Sequence, residues 1–204
     1  MSVPARQVAL LGGSFDPVHL GHLALAQAAL QQLPVDELWW VPVGQAWQKS
    51  RSLTPAVHRV AMLELAIGRD GRQRIECCEI ERDGPTYTID TLQALSRRHP
   101  GVVWHLILGW DQFLNLPTWK GWADVVARAR LAVVQRPGTA TASALPTALR
   151  PLAIEPLHMA PWDVSSTAIR ADVARARPIL DRVSAQVARY IDDTGLYLDG
   201  GAAA

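Results

Sequence analysis

Residues 8–22, VALLGGSFDPVHLGH, decide how the rest of the chain is interpreted. The apolar run at its start ends at Gly12 and Gly13, and a short turn leads from there to His19 and His22. An apolar run of this length is typical of a buried strand, and apolar residues at helical spacing return after the turn. A glycine turn between a strand and a helix N-terminus allows close backbone approach and offers N–H groups to an anion. The stretch therefore predicts a strand, a phosphate-binding turn and a helix.

Segments typical of strands and helices alternate along the rest of the chain. This alternation predicts a Rossmann-like α/β fold, a doubly wound parallel sheet with helices on both faces and a small C-terminal helical part. We expect one domain over residues 1–204, with its core at about 7–160 and the helical segment at about 165–195. The predicted strands are 7–11, 37–43, 74–80, 102–108, 131–134 and 152–154; the predicted helices are 20–33, 55–67, 89–95, 122–130, 168–173 and 183–193, with 113–122 irregular and 136–151 a surface loop.

Composition limits the partners of the chain. Its 204 residues include 20 basic and 19 acidic side chains, a formal net charge of +1, so neither nucleic acid nor an anionic membrane is expected as a partner. The sequence shows no apolar run of bilayer length and no signal-like start, so we expect a cytoplasmic location. Cys77 and Cys78 are neighbours, which makes a disulfide between them strained, and we expect them to be buried strand residues.

His19 and His22 lie one helical turn apart, so both imidazoles can face one point, and Gly21 adds no side chain between them. A convergent pair of donors suits a phosphate that gains charge in a transition state. Two other interpretations stay open. One histidine can cap the helix while the other is a surface residue, or the pair can bind zinc, although no third ligand follows at a recognisable spacing.

Two motifs carry a resemblance to a known superfamily. Gly12–His22 resembles the N-terminal signature of the nucleotidyltransferases with the H-x-G-H motif, and Ser165–Arg170 resembles their C-terminal motif S-S-T-x-I-R. Within this superfamily the chain is similar to the bacterial nicotinate-nucleotide adenylyltransferases over nearly its whole length. Further similar stretches are Gly84–Thr88, Leu108–Asp111, Pro117–Trp119 and Arg136–Gly138.

The resemblance implies a reaction in which ATP and nicotinate mononucleotide give nicotinate adenine dinucleotide and pyrophosphate, with Mg²⁺, as a step of NAD biosynthesis. It implies direct in-line attack without a covalent intermediate, which agrees with a site that offers phosphate donors and no evident nucleophile. His19, His22 and Arg170 are the expected catalytic residues. The implied ATP-binding residues are Gly12, Gly13, Ser14, Phe15, Lys49, Gly109, Ser165, Ser166 and Thr167; the implied mononucleotide-binding residues are Tyr87, Thr88, Asp111 and Trp119.

Arg170 follows Ser166 by four positions, and we expect it to project from the first turn of its helix toward a triphosphate. An ordinary capped surface helix is the alternative interpretation of this segment. We expect no metal ligands from the protein, since Mg²⁺ can arrive on the ATP phosphates. Asp16 lies within the phosphate turn, but Asp16-Pro17 is equally a structural turn starter.

One segment departs from the family. Where the family has Pro-Pro-His-Lys or Pro-Pro-His-Arg after the second strand, this chain has Ala46-Trp47-Gln48-Lys49. Lys49 keeps a positive charge for ATP, whereas Gln48 cannot protonate as histidine does. Nicotinamide mononucleotide or phosphopantetheine is the alternative acceptor, and a non-catalytic nucleotide-binding module is the alternative from another class. The sequence is compatible with either a monomer or a homo-oligomer.

Overall fold

The computed structural model describes residues 5–44, 53–135 and 145–198. Six parallel strands form one sheet in the order β3-β2-β1-β4-β5-β6. They are β1 (Gln7–Gly13), β2 (Glu37–Pro42), β3 (Gln73–Ile75), β4 (Val103–Gly109), β5 (Ala129–Gln135) and β6 (Ile154–His158). This is the predicted doubly wound order, and β1 lies at its centre, with Val8 paired to Glu37 of β2 and Trp104 of β4.

Seven α-helices and one 3₁₀ turn connect the described strands or follow them. They are α1 (Leu20–Gln32), α2 (Ala56–Ile67), α3 (Thr88–Arg98), α4 (Trp110–Asn115), the 3₁₀ turn Leu116–Thr118, α5 (Trp122–Arg128), α6 (Ser166–Val173) and α7 (Ala185–Thr194). Ser184 caps the start of α7, and Gly195, at φ +65°, ends it in the left-handed conformation that glycine adopts without a Cβ clash.

The sheet separates two hydrophobic clusters, as the alternation of side chains along a strand requires. Along β1, Ala9 and Leu11 belong to one cluster with residues of α1, α2, α6 and α7. Val8 and Leu10 belong to the other cluster with residues of α3, α4 and α5. Helices therefore cover both faces, as predicted, and β1 is buried on both sides.

The chain reverses its direction of winding between β1 and β4. The crossovers run from β1 outward to β2 and β3, whereas β4 lies on the other side of β1 and leads outward to β5 and β6. In a parallel sheet a crevice opens at the carboxyl ends of the two strands that flank such a switch point. Gly12 and Gly13 end β1 and Gly109 ends β4, so the motifs predicted to bind nucleotides meet at this crevice.

Three segments differ from the sequence prediction. The third strand spans three residues, so Cys77 and Cys78 follow it and are not strand residues. Cys78 is buried as expected, whereas Cys77 is only half-buried, and both thiols are free. Most of residues 113–122 is ordered as α4 and the 3₁₀ turn, because Phe113 and Leu116 are buried anchors at helical spacing. The last strand begins at Ile154, where the predicted one ended, and its pairing with β5 sets its position.

Several sequence predictions fall outside the described residues. Lys49, with Trp47 and Gln48, belongs to residues 45–52, and the first part of the predicted 136–151 loop belongs to residues 136–144. Within the described residues, none of the helices is long and apolar enough to cross a membrane.

Candidate active site

Two cavities open at the switch point. The first, of about 200 Å³, is lined by the end of β1, the residues that lead into α3, and the segment at Trp119 and Lys120. The second, of about 320 Å³, is lined by His19 and His22, the start of α4 and the segment that precedes α6. Gln112 lines both cavities, so they are neighbours. Two adjoining cavities are what an enzyme with two substrates requires.

His19 and His22 cap the first turn of α1 reciprocally. His19 is the N-cap residue, and its Nδ1 accepts a hydrogen bond from the His22 backbone N–H at 3.3 Å. The His22 Nδ1 accepts in turn from the His19 backbone N–H at 3.2 Å. The arrangement is a capping box in which imidazoles take the usual places of Ser and Glu. Both histidines cap the helix, so the interpretation with one cap and one surface histidine is correct only for the cap; His19 is buried and His22 half-buried. Capping does not exclude a chemical role.

Capping fixes which edge of each ring points away from the helix. The rings stack with centroids 3.6 Å apart and planes 19° apart. A ring nitrogen that accepts from a backbone N–H carries no proton, so in the neutral tautomer the proton of each ring lies on Nε2. Burial lowers the pKa of His19 from 6.5 to about 4, so its ring is neutral at neutral pH. The pair thus presents Nε2–H donors from two parallel rings that line the second cavity.

Gly21 permits this packing. A Cβ at this position would lie 2.9 Å from Val164 Cγ1 and 3.2 Å from His19 Nδ1, closer than a side-chain carbon can approach without displacing a neighbour. The start of α1 is thereby held against the segment before α6 and against the His19 ring. The role expected for this glycine, leaving room beside the histidines, agrees with its contacts.

Gly21→Ala tests this close approach. The added methyl group must displace Val164 or the His19 ring, so we expect a loss of about 1–3 kcal/mol in unfolding free energy and about a tenfold loss in turnover. Denaturant unfolding and steady-state kinetics measure the two effects. Full activity and stability of this variant would show that the contact carries no constraint.

A buried polar network supports the turn between β1 and α1. The Asp16 carboxylate is fully buried and accepts from Tyr197 Oη at 2.7 Å and from the Thr54 backbone N–H at 3.3 Å. The Arg59 guanidinium, also buried, donates to the Ser14 and Thr54 carbonyls at 2.9 Å each. These contacts give Asp16 a structural place in the turn. Burial and the adjacent Asp16 raise the pKa of Tyr197, which keeps the phenol protonated.

Phe15 has a different place from the one expected. Its side chain is fully buried and packs edge-on against His22, at a centroid distance of 5.1 Å, and against Trp40, at 5.3 Å. The ring therefore does not line either cavity and instead supports the His22 imidazole. Only the Phe15 backbone, at φ +47°, remains for contact with a nucleotide.

The two motifs of the sequence resemblance are hydrogen-bonded to each other. Ser166 Oγ donates to the Pro17 carbonyl at 2.9 Å, and Arg170 Nη1 donates to the Asp16 carbonyl at 2.6 Å. Arg170 Nη2 also donates to Thr167 Oγ1 at 3.1 Å. Arg170 is the fifth residue of α6 and so lies in its second turn, not the first, yet its guanidinium reaches the phosphate turn.

The cap of α6 is the one expected from the sequence. Ser165 Oγ accepts from the Ala168 backbone N–H at 3.1 Å, which makes Ser165 the N-cap residue. The hydroxyl groups of Ser165, Ser166 and Thr167 thus all have partners within the protein. The segment is both a capped helix and the partner of the first motif, so the surface-helix interpretation is incomplete.

The structure distributes the remaining predicted residues between the two cavities. Tyr87, Thr88 and Trp119 line the first cavity, and so do Gly12, Gly13 and Ser14, which were expected to bind ATP and do not line the second cavity. Gly109 and Asp111 line the second cavity beside the histidines. Asp111 is thus adjacent to the histidine pair, away from the other three residues expected to bind the mononucleotide.

Several residues in or beneath the two cavities were not predicted from the sequence. Glu79, Thr86 and Lys120 line the first cavity, Trp162 lines the second with 46% of its surface exposed, and Arg59 lies beneath the turn. Lys120 follows Trp119 directly, so a charge beside the predicted stacking ring was the available signal. Glu79 and Arg59 gave no such signal, because the folding of the crossover segments brings them to the site. Their spacing in the sequence does not indicate this position.

The structure offers no ready-made metal centre among the residues it describes. No group of three or more His, Cys, Asp or Glu side chains in residues 5–44, 53–135 and 145–198 could hold a metal ion. The zinc interpretation of the histidine pair therefore lacks a ligand set in this part of the chain.

The sheet order, the phosphate turn and the histidine pair define a protein of the nucleotidyltransferase class. The cytidylyltransferase-like family matches residues 10–172. A probable nicotinate-nucleotide adenylyltransferase of Methylibium petroleiphilum is 45% identical over 95% of this chain and 93% of its own length. One of Bordetella petrii is 40% identical over 94% of this chain and 99% of its own. The chain belongs to the nicotinate-nucleotide adenylyltransferase family within the cytidylyltransferase-like proteins.

A solved structure supports the fold. The nicotinic acid mononucleotide adenylyltransferase of Plasmodium falciparum, complexed with APC, superposes with a TM-score of 0.77 over 94% of this chain and 97% of its own. Its sequence identity of 20% makes this likeness one of fold alone.

Proposed function

We propose that this protein joins ATP and nicotinate mononucleotide to give nicotinate adenine dinucleotide and pyrophosphate, in NAD biosynthesis. A phosphate oxygen of the mononucleotide attacks the α-phosphorus of ATP. The new P–O bond forms as the bond from the α-phosphorus to the bridging oxygen breaks, and that oxygen leaves on pyrophosphate with the electron pair. No covalent enzyme intermediate is needed.

The observation that carries this proposal is the arrangement of the two cavities around the histidine pair. We assign the second cavity, which His19 and His22 line, to ATP, and the first cavity, which contains Tyr87 and Trp119 and adjoins it at Gln112, to the mononucleotide. The pyridine ring is flat and electron-poor and can stack on Trp119. The mononucleotide phosphate then lies at the boundary of the two cavities, near Ser14 and the turn.

Positioning and charge stabilisation supply the catalysis. The Nε2–H groups of the two stacked rings donate to oxygens of the α-phosphate, where negative charge increases in the transition state. Because the Nδ1 atoms are held by backbone N–H groups, the rings need no reorientation when substrate binds. We assign to Arg170, whose Nη1 donates to the Asp16 carbonyl beneath the turn, the stabilisation of the leaving pyrophosphate.

We assign the divalent cation, Mg²⁺, to the triphosphate of ATP. When bound there, it neutralises phosphate charge. The described residues include no group of three or more His, Cys, Asp or Glu side chains that would hold it without the nucleotide. The cytoplasmic location and the lack of nucleic-acid or membrane partners stay predictions from composition.

A pyrophosphate-release assay tests the reaction. ATP is supplied with nicotinate mononucleotide, nicotinamide mononucleotide or phosphopantetheine in parallel, each with Mg²⁺. We expect turnover with the nicotinate acceptor to exceed that with the amide by at least about tenfold. Strong turnover with phosphopantetheine, or none with any acceptor, would contradict the proposal, and the second result would favour a non-catalytic module.

Lys120 offers a physical basis for the choice of acid over amide. It lines the first cavity next to Trp119, and its Nζ lies 4.3 Å from the centroid of the Tyr87 ring. Asp90 Oδ2 lies 3.8 Å from the same ammonium group. A cation at this place attracts the carboxylate of a ring stacked on Trp119 and gains little from a neutral amide.

Lys120→Met should therefore reduce the preference for nicotinate mononucleotide over nicotinamide mononucleotide. We expect KM for nicotinate mononucleotide to rise about three- to fivefold, KM for the amide to change less than about twofold, and kcat to stay within about threefold. Steady-state kinetics with both acceptors measures the ratio. Lys120→Arg, which keeps the charge, is the matched control and should retain most of the preference; an unchanged ratio in the methionine variant would assign the selection to other groups.

A further inference from the structure

Two buried polar residues that line the first cavity have no role in the proposed reaction. Glu79 is 8% exposed and Thr86 is 5% exposed, and both line this cavity. Thr91 Oγ1 donates to Glu79 Oε1 at 2.7 Å. Among the residues that the structure describes, the Thr86 hydroxyl is buried and has no hydrogen-bond partner. A buried hydroxyl without a partner is costly, so its presence at a cavity wall calls for an explanation.

Gly44 brings these two residues together. It follows β2, and a Cβ placed on it would lie 2.1 Å from the Glu79 carbonyl oxygen and 3.2 Å from Thr86 Oγ1. Glu79 and Thr86 therefore meet the same point of the chain after β2, at one corner of the cavity. We call Glu79 and Thr86 the polar corner. Its shape depends on the missing side chain of Gly44, since any Cβ would collide with the Glu79 backbone.

The chemistry of the polar corner selects what it can bind. In its ionised form the Glu79 carboxylate accepts hydrogen bonds only, and it repels the nicotinate carboxylate and the phosphate of the mononucleotide. The positively charged ring nitrogen carries the ribose and has no hydrogen to donate. The hydroxyl groups of the ribose are the donors that remain, and each can also accept from the Thr86 hydroxyl.

We propose that Glu79 and Thr86 bind the ribose hydroxyls of the mononucleotide acceptor and thereby select a ribonucleotide. This inference rests on the proposed function, because it names a subsite for the same acceptor. It places the sugar between Trp119, on which the ring stacks, and the β1 turn, where the phosphate reacts. The corner thus sets how far the phosphate extends toward the second cavity.

The raised pKa of Glu79 agrees with a role in binding a ribose hydroxyl. Burial raises its pKa to about 7, against the opposing effects of the Thr91 hydrogen bond and the charge of Arg82. A carboxyl group with this pKa lacks enough donors to offset its burial. A ribose hydroxyl that donates to it would supply such a donor.

Glu79→Gln and acceptors that lack one ribose hydroxyl test the subsite together. The amide oxygen of the substituted side chain is expected to accept from Thr91, which turns its NH₂ group to the position where the second carboxylate oxygen accepts. With the unmodified enzyme, kcat/KM should fall roughly 10- to 100-fold when nicotinate mononucleotide is replaced by its 2′-deoxy or 3′-deoxy form. Glu79→Gln should lower kcat/KM for the ribonucleotide by a similar factor. Its kcat/KM values for the ribonucleotide and for either deoxy form should differ by less than about threefold.

Two further variants complete the experiment. Thr86→Val keeps the shape of the side chain and removes the hydroxyl, so it should also reduce the discrimination, by about three- to tenfold. Glu81→Gln changes an exposed carboxylate two positions from Glu79 and should leave the discrimination intact. Melting temperatures and KM for ATP, measured in parallel, identify a variant that has lost its fold.

The outcomes separate this inference from the proposed function. If the unmodified enzyme uses the ribonucleotide well and the deoxy forms equally well, or if Glu79→Gln is slow but discriminates as before, the polar corner is structural and the inference is wrong. If the unmodified enzyme uses no nicotinate acceptor at all, the proposed function itself fails.

Discussion

His19→Ala should lower kcat by about 10²- to 10³-fold while KM for ATP and for nicotinate mononucleotide changes less than about threefold. A donor that acts where charge increases in the transition state contributes to rate more than to ground-state binding. His19 has this position because its ring stacks on His22 and lines the cavity assigned to ATP. Steady-state kinetics with both substrates varied separates the two parameters.

The alanine variant alone does not separate catalysis from capping. The His19 side chain also accepts from the His22 backbone N–H, and removal of an N-cap acceptor costs about 1 kcal/mol of stability. His19→Asn is the matched control, since asparagine is a good N-cap residue and lacks the imidazole Nε2–H. We expect this variant to be stable and nearly as slow as the alanine variant. Recovery of activity by asparagine would reduce the role of His19 to the cap.

The buried state of His19 has a consequence for stability. Its pKa is about 4 in the folded protein and 6.5 in the unfolded chain, so between these values the folded state binds fewer protons. Stability therefore rises with pH across this range and is lost as the pH falls through it. The difference amounts to on the order of 3 kcal/mol. Urea unfolding of the unmodified protein and of His19→Asn at about pH 7 and about pH 4.5 should show a smaller pH effect in the variant.

The sequence was sufficient for the parts of the fold that depend on local pattern. The apolar run of β1, the cap at Ser165 and the stop at Gly195 are local signals, and each was confirmed in the structure. The third strand was predicted too long because no Gly or Pro interrupts residues 74–80 before the turn at 81–85. In the structure β2 pairs only with Gln73–Ile75, and the chain then turns to bring Glu79 to the cavity.

The candidate site, like the fold, has residues that local motifs predict and contacts that only the folded chain shows. His19, His22 and Arg170 stood out because their motifs are specific, although no sequence spacing shows that Arg170 reaches the Asp16 carbonyl. Phe15 stood out for the same reason, yet its ring is buried in the core. Glu79 meets Thr86 only through the packing of the crossovers. Contacts between distant segments are properties of the folded chain, so reasoning from single motifs could not supply them.

Arg170→Ala should lower kcat by about 10²-fold, the second-largest effect expected here. The guanidinium is the charged group of the C-terminal motif, and it reaches the phosphate turn through its 2.6 Å hydrogen bond to the Asp16 carbonyl. In-line attack transfers negative charge to the leaving pyrophosphate, and a cation held beside it stabilises that charge as it appears. Pyrophosphate release, with ATP and nicotinate mononucleotide at saturation, measures the loss.

Arg170 also holds two segments together, so the variant must be compared with one that disturbs the same junction without removing a charge. Ser166→Ala breaks the other hydrogen bond between the motifs, the 2.9 Å contact to the Pro17 carbonyl. If charge at the leaving group is the main effect, Ser166→Ala should lose less than about fivefold, and added guanidinium ion should restore part of the activity of Arg170→Ala. Equal losses in the two variants, with no rescue, would mean that Arg170 acts by holding α6 against the turn, and the stabilisation of pyrophosphate would then fall to other groups.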